Sequence, residues 1–282
     1  MITLEQLQAG IVLPIDKPRQ WTSFQAVNKI KAIFRQYLKE QALSHSPKIK
    51  IGHAGTLDPL ATGLLLVCLG KATKTIPSLQ DGDKVYTGTF VFGATTPCFD
   101  LERPIDRYYP YDHITPALLE QTLPRFTGTV LQVPPMFSAV KIAGQRAYEY
   151  ARRDQQGATA SQSPDDPIVT IQPKPVDIYS FEITAFRPGT ADVAEPTVAS
   201  KAVDVNARHL YDNPLGTVPA HLPQADFRIH CGKGTYIRSI ARDLGLALGS
   251  GAFLSALRRE QIGSYTVDKA LQLDQVEDYL TR

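Results

Sequence analysis

The sequence predicts an α+β domain, and three observations carry that prediction. Apolar residues recur at helical spacing between positions 23 and 38, an unbroken apolar run covers Leu64–Leu69, and alternation marks Lys84–Phe92 and Phe227–Cys231. Helical and strand periods interleave along the chain, and at 282 residues and 43% hydrophobic it buries a substantial core, as one large domain or two modest ones.

Taken in order, the start MITLEQLQAG has neither the basic end nor the apolar run of a signal peptide. Phe24, Val27, Ile30, Ile33, Phe34 and Tyr37 then fall on one face of an amphipathic helix over 23–38, with Thr22 or Ser23 to cap it. A loop thick with glycine, threonine and proline follows, Gly52 to Gly63, and presents one carboxylate, Asp58, just before the apolar run. That run, bounded by glycines, reads as a buried strand. With Lys71 it resembles a phosphate loop at a glance, but six apolar residues separate Gly63 from Gly70 and Ala72 follows the lysine, which excludes the pattern. Over 84–92 a second strand sets Tyr86, Phe90 and Phe92 on one face and Val85 and Val91 on the other. After the strand ending at Cys231, Gly232–Thr235 turns the chain into a helix with Ile237, Ile240, Ala241 and Leu244 on its apolar face. Segments 154–167 and 187–224 are rich in Pro, Gly, Ser, Ala and Asp without a sustained period, and read as surface insertions. There is no internal repeat.

Several classes drop out. The longest apolar stretch is far short of a membrane span, so the expected location is the cytoplasm. Cys68, Cys98 and Cys231 lie far apart without paired spacing, which suggests buried thiols rather than a disulfide framework or a thiolate zinc site. His45, His53, His113, His209, His221 and His230 form no i, i+4 pair, so no metal is expected. A net charge of +2 permits an RNA partner without demanding one, although Lys48 with Lys50, Lys71 with Lys74 and Arg258 with Arg259 make local basic clusters.

Singly, the polar candidates have plain structural readings. Asp58 before Pro59 is ordinary turn chemistry, Tyr86 on an alternating strand suits a core, and Arg238 on a helix suits a surface ion pair. Their order changes the weighting. Asp16-Lys17-Pro18 with Trp21-Thr22-Ser23 is followed by Gly52-His53-Ala54-Gly55-Thr56-Leu57-Asp58-Pro59-Leu60-Ala61-Thr62-Gly63, and then by Lys84-Val85-Tyr86. Gly93 through Thr96 to Asp100 comes next, then Pro134 to Ala139 with Tyr148 to Arg152. Gly232 to Arg238 and Leu257-Arg258-Arg259 complete the series. This ordered set resembles that of the TruB family of tRNA pseudouridine synthases, over roughly residues 11–265 apart from the two insertions.

The resemblance implies a pseudouridine synthase fold: a mixed, mostly antiparallel sheet flanked by helices, with a central RNA-binding cleft. It implies isomerisation of uridine 55 in the T loop of tRNA to pseudouridine without a cofactor, with no guide RNA and no obligate protein partner. By the same resemblance Asp58 is the nucleophile, Tyr86 the aromatic beneath the flipped base and a candidate base for the last proton, and Arg238 the ion-pair partner of Asp58. Tyr236 and Leu257 belong to the pocket and His53 enters the T loop, while Lys17, Lys141, Arg258 and Arg259 are phosphate or pocket contacts.

Chemistry supports these residue types independently. A carboxylate can add to the substrate, hold it while the base turns, and leave again, so no redox step or group donor is needed. Kept charged in a dry pocket, that acid needs a cation that never deprotonates, which favours arginine. Glycines around Asp58 would let an RNA backbone approach closely. One departure concerns the turn, since Gln20 stands where the family usually has glycine. Another is that only 260–282 follow Arg259, too short for the C-terminal PUA domain of many bacterial members, so acceptor-stem contact is expected to be reduced. The competing readings are a guide-RNA-dependent relative of the same fold and a non-catalytic tRNA-binding or RNA-folding module.

Overall fold

A computed structural model describes residues 3–40, 49–137, 141–142, 145–146, 171–190 and 218–281. Its elements in order are α1 (Leu4–Ala9), β1 (Ile11–Lys17), α2 (Ser23–Glu40), β2 (Ile51–Ala54), β3 (Thr62–Leu69), α3 (Ile76–Asp81), β4 (Lys84–Phe92), β5 (Ala94–Thr95) and β6 (Arg107–Tyr108). They continue as α4 (Pro116–Thr122), β7 (Gly128–Gln132), β8 (Lys141–Ile142), β9 (Gln145–Arg146), β10 (Lys174–Arg187), β11 (Gln224–Cys231), α5 (Ile237–Ala247), β12 (Ala252–Ile262), β13 (Tyr265–Thr266) and α6 (Val276–Thr281). The α+β class is therefore as expected. One nine-stranded sheet has the order β1-β3-β12-β4-β11-β10-β7, with β2 also on β3 and β13 on β12. Its pairings are antiparallel along β1–β3, β2–β3 and β7–β10 and parallel where Arg258 and Arg259 meet Thr62 and Gly63, which makes the sheet mixed.

The chain divides into two compact units, one of Met1–Gly88, Arg228–Lys233 and Ala256–Arg282, the other of Thr89–Phe227 and Gly234–Ser255. In the first, β3 is covered on both faces. Leu65, Val67 and Leu69 join Leu13, Ile15, Ile30, Phe34, Val276 and Leu280 under α2 and α6, while Leu64 and Leu66 pack with Ala54 and Ile262 on the other side. A strand buried twice reads as a continuous apolar run rather than an alternating one, which explains Leu64–Leu69. Helix α2 starts with a reciprocal cap: Thr22 Oγ1 accepts from the Gln25 amide at 3.0 Å and the Gln25 side chain accepts from the Thr22 amide at 2.8 Å. Thr22 is thus the cap, and Ser23 is free for another task.

In the second unit an aromatic cluster fills the core. Phe90 stacks on Phe227 at 4.1 Å and meets Phe181 edge-on at 6.0 Å, with Phe126 edge-on to Phe181. The expected apolar face of α5 is buried, but so are Arg238 and Ser239. Cys68, Cys98 and Cys231 are buried thiols, as expected. The expected insertion at 187–224 needs narrower bounds. Thr190 donates to the Ala220 carbonyl at 3.1 Å, Leu222 is buried in the core, and the Pro223 carbonyl accepts from Phe92 at 2.9 Å. Composition made these ends look like loop, whereas packing makes them part of the fold. The insertion expected at 154–167 lies outside the described residues.

Candidate active site

The Asp58 loop follows β2 and leads into β3, and the first unit holds its backbone from several directions. Ser23, released from capping, accepts from the Leu57 amide at 2.9 Å and donates to the Leu57 carbonyl at 3.2 Å. Gln20 N–H donates to the Pro59 carbonyl at 2.8 Å, and Ala61 N–H to that of Asp58 itself at 3.2 Å. Lys17 is 0% exposed, and its ammonium donates to the carbonyls of Pro18 at 3.0 Å, Trp21 at 2.6 Å and Pro59 at 3.3 Å. Arg259, 2% exposed, reaches the same loop from β12 through the carbonyls of Gly55 at 2.9 Å, Thr56 at 3.5 Å and Leu64 at 2.8 Å. Two cations under a loop of carbonyls satisfy acceptors that burial would otherwise leave unpaired. Their fields also fall where a carboxylate is presented: burial lowers the Lys17 pKa to about 8 against the opposing pull of Asp58, with Arg259 lowering it further.

The glycines of this loop serve the fold first. Gly63 has φ +97°, and a Cβ there would lie 2.3 Å from the Arg259 carbonyl oxygen. Gly55, at φ +85°, sits against the Arg259 guanidinium. The close approach that Gly63 permits is that of β12, where the sequence suggested an RNA backbone. Gln20, where the family usually has glycine, keeps the left-handed conformation with φ +67°.

Tyr86 is buried on β4 near Arg259, and burial is the main cause that raises its pKa, so the phenol is protonated at neutral pH. His53 lies on β2 with Nδ1 buried and without a hydrogen-bond partner. Burial lowers its pKa and Arg259 adds to the effect, so the ring is neutral near pH 7. Leu257 is half-buried on β12. Beside it, Arg258 grips Asp16 with both Nη atoms, at 3.0 and 2.8 Å, a bidentate pair between β12 and β1. Lys141 lies on β8, and its side chain is outside the described residues.

Arg238 and Tyr236 lie in the second unit. Arg238, 6% exposed, donates from Nη1 to the Cys98 carbonyl at 3.1 Å and from Nη2 to that of Phe137 at 2.8 Å, with Nε 3.7 Å from Asp100 Oδ2. Tyr236, half-buried just before α5, is held through its backbone by Gln132, whose side chain accepts from its N–H at 2.8 Å and donates to its carbonyl at 3.1 Å. Asp100 and Gln132 were not singled out from the sequence. Asp100 stood in a quoted motif without a role of its own, and no local pattern marks a glutamine that pairs across 104 positions. Among the described residues no cluster of His, Cys, Asp and Glu is arranged to hold a metal ion.

In fold, the chain is similar to the solved structure described as a Cbf5-Nop10-Gar1 complex, with a TM-score of 0.58 and 25% identity over 97% of this chain and 55% of that one. A second, an H/ACA RNP bound to a substrate RNA containing 2'-deoxyuridine, has a TM-score of 0.55 and 22% identity over 99% and 56%. The chain thus spans just over half the length of these solved chains, and they bear on fold alone.

Sequence models define the class as pseudouridylate synthase: residues 39–202 match the TruB family pseudouridylate synthase N-terminal domain and residues 238–282 the tRNA pseudouridylate synthase B C-terminal domain. The tRNA pseudouridine synthase B of Flavobacterium johnsoniae is 43% identical over 99% of this chain and 100% of that protein. That of Parabacteroides distasonis is 39% identical over 96% and 94%. The chain belongs to the TruB family, and is an isomerase that forms pseudouridine in tRNA.

Proposed function

We propose that this enzyme converts uridine 55 in the T loop of tRNA to pseudouridine, with Asp58 as nucleophile. The observation that carries the reading is the Asp58 loop itself, whose carbonyls are held by two buried cations, Lys17 and Arg259, and whose neighbour Leu57 is clamped by Ser23. A merely solvated turn needs no such support, whereas a nucleophile must be positioned to within a fraction of an ångström. Asp58 adds to the substrate as the bond from ribose to N1 breaks. The uracil turns, C5 bonds to the ribose, the carboxylate leaves, and the C5 proton is lost while N1 gains one. The reaction is a redox-neutral isomerisation and uses no cofactor.

The target base leaves its stack to reach the acid and is held between Tyr86, Leu257 and Tyr236. A protonated, buried Tyr86 supports the packing role better than the role of base. Arg238 serves as the charge partner of Asp58, with Asp100 and two carbonyls setting its guanidinium. A neutral His53 suits insertion into the T loop, where it would replace base contacts rather than bind phosphate. Burial of Lys17 and Arg259, and the Arg258–Asp16 pair, favour support of the loop and sheet over phosphate contact, which leaves Lys141 as the phosphate candidate. We read the chain as one catalytic domain that acts on the T arm in the cytoplasm across an RNA-binding cleft, with no guide RNA and no obligate protein partner. Among the described residues no helix is long and apolar enough to cross a membrane.

Asp58→Asn preserves shape and turn preference but removes the nucleophile. Single-turnover assays on a tRNA transcript should show no pseudouridine, while filter binding finds tRNA affinity within about tenfold of wild type, or ~1.4 kcal/mol. Turnover within about tenfold of wild type, a barrier change of only ~1.4 kcal/mol, would restore the plain turn reading of Asp58 and overturn its assignment as nucleophile.

A further inference from the structure

We propose that Cys98 is a positioning residue of this active site, its thiol holding the Asp100 carboxylate that in turn sets Arg238. The inference rests on the reading of Arg238 as the charge partner of Asp58.

The geometry begins with a reversed backbone. Phe99 has φ +60°, a left-handed conformation that a residue with a large side chain adopts rarely and keeps only where its surroundings impose it. Here they do: Phe99 N–H donates to the Thr96 carbonyl at 3.1 Å, its own carbonyl accepts from Leu254 at 3.0 Å, and the Arg242 guanidinium lies 5.8 Å from its ring centre. Thr96 Oγ1 ties off the turn by donating to the Asp100 carbonyl at 2.7 Å.

Within this turn the carbonyl and the thiol of Cys98 contribute to one network. Its carbonyl accepts from Arg238 Nη1 at 3.1 Å, and its thiol donates to Asp100 Oδ1 at 3.0 Å. Asp100 Oδ1 also accepts from the Glu102 amide at 2.9 Å, while Oδ2 is the oxygen nearest Arg238 Nε. Two donors on one oxygen fix the carboxylate rotamer and so aim the other oxygen at the arginine. Cys98 is 0% exposed, and burial with the adjacent Asp100 charge raises its pKa, so the thiol keeps the proton it donates. A buried cysteine is usually an inert filler, and the two readings separate cleanly. As a filler, Cys98 would affect stability and tolerate alanine better than a buried hydroxyl. As a donor, it would affect rate and tolerate serine better than alanine.

The test compares Cys98→Ser, Cys98→Ala, Asp100→Asn, Arg238→Ala and the double variant Cys98→Ala/Asp100→Asn by single-turnover pseudouridine formation, tRNA binding and thermal unfolding. Cys98→Ala should react about tenfold more slowly than wild type with tRNA affinity within about threefold, and Cys98→Ser should recover the rate to within about threefold of wild type. The double variant should be no slower than Asp100→Asn alone, because the thiol acts through that carboxylate. Should Cys98→Ala fail to fold, Cys98→Val fills the volume without a donor and takes its place. A wild-type rate for the alanine variant, serine and alanine equally slow, or a full additional tenfold loss in the double variant would each overturn the proposal. If Arg238→Ala itself turns over at the wild-type rate, the reading of Arg238 fails and the role of Cys98 falls with it. If Arg238→Ala is inactive and Cys98→Ala normal, the proposal for Cys98 alone fails.

Discussion

Gln20 shows how one residue can depart from a family pattern without altering the chain path. Its φ of +67° is where glycine rests at no steric cost, and its N–H still holds the Pro59 carbonyl beside Asp58. A side chain in this region costs roughly 1–2 kcal/mol, part of which glycine would return as extra freedom of the unfolded chain. Gln20→Gly should therefore stabilise the protein by about 0.5–1 kcal/mol and leave turnover within about twofold. Urea unfolding checks the first expectation and the single-turnover assay the second. A destabilised Gln20→Gly protein would mean that the exposed glutamine side chain makes contacts that outweigh its strain.

At the scale of the element, the Asp58 loop is a strap held by cations rather than by apolar packing, and one of those cations titrates. Above pH 8 Lys17 loses a proton and keeps only two N–H groups for three carbonyls, while Asp58 loses a neighbouring positive charge. The single-turnover rate should thus fall on the alkaline side with a midpoint near pH 8. Tyr86, raised above its ordinary value, does not titrate in that range. Stability moves the opposite way. The folded pKa lies below that of a free lysine, so between about pH 8 and 10.5 the unfolded chain binds more protons, and this group by itself makes the fold more stable as pH rises. A falling rate with an unchanged or rising melting temperature would identify loop chemistry rather than unfolding. A rate that stays flat to pH 9.5 would separate Lys17 from the geometry of the nucleophile.

For the whole molecule, the segment between Thr190 and Val218 tests how far the fold depends on its added sequence. The strand ends beside it are secured independently: Thr190 donates to Ala220, and Arg187 pairs with Asp226 through both Nη atoms, at 2.5 and 2.6 Å. Closing a shorter loop between ends that already meet changes chain entropy little. Deleting 191–217 behind a short Gly-Ser link should leave the melting temperature within a few degrees and turnover within about threefold. Deleting 187–224 instead removes buried Leu222 and the Arg187–Asp226 pair, and should cost several kcal/mol. Loss of turnover by the shorter deletion with folding intact would assign the segment to RNA contact.

The sequence by itself determined the elements whose information is local. Strand β4 runs over Lys84–Phe92, buried on both faces at its ends rather than on alternate residues, and α5 follows its apolar period, as does α2 apart from Phe24, which is exposed. Asp58 stood out because turn-forming residues flank it in an ordered motif, and the family assignment rests on such motifs. What only the tertiary structure decided is where polar groups find partners. The resemblance made Lys17 and Arg259 phosphate or pocket contacts, yet they hold carbonyls of the Asp58 loop 42 and 204 positions away, and Arg258 pairs with a carboxylate 242 positions away. Arg238 meets the Cys98 carbonyl across 140 positions and Asp100 beside it, and the glycine at 63 answers to the backbone of residue 259. Periodicity reports which face of an element is apolar, because that depends on neighbours three, four or two residues away. It carries no record of what lies opposite once the faces close, and there desolvation obliges each buried donor and acceptor to find whichever partner the fold has placed within reach.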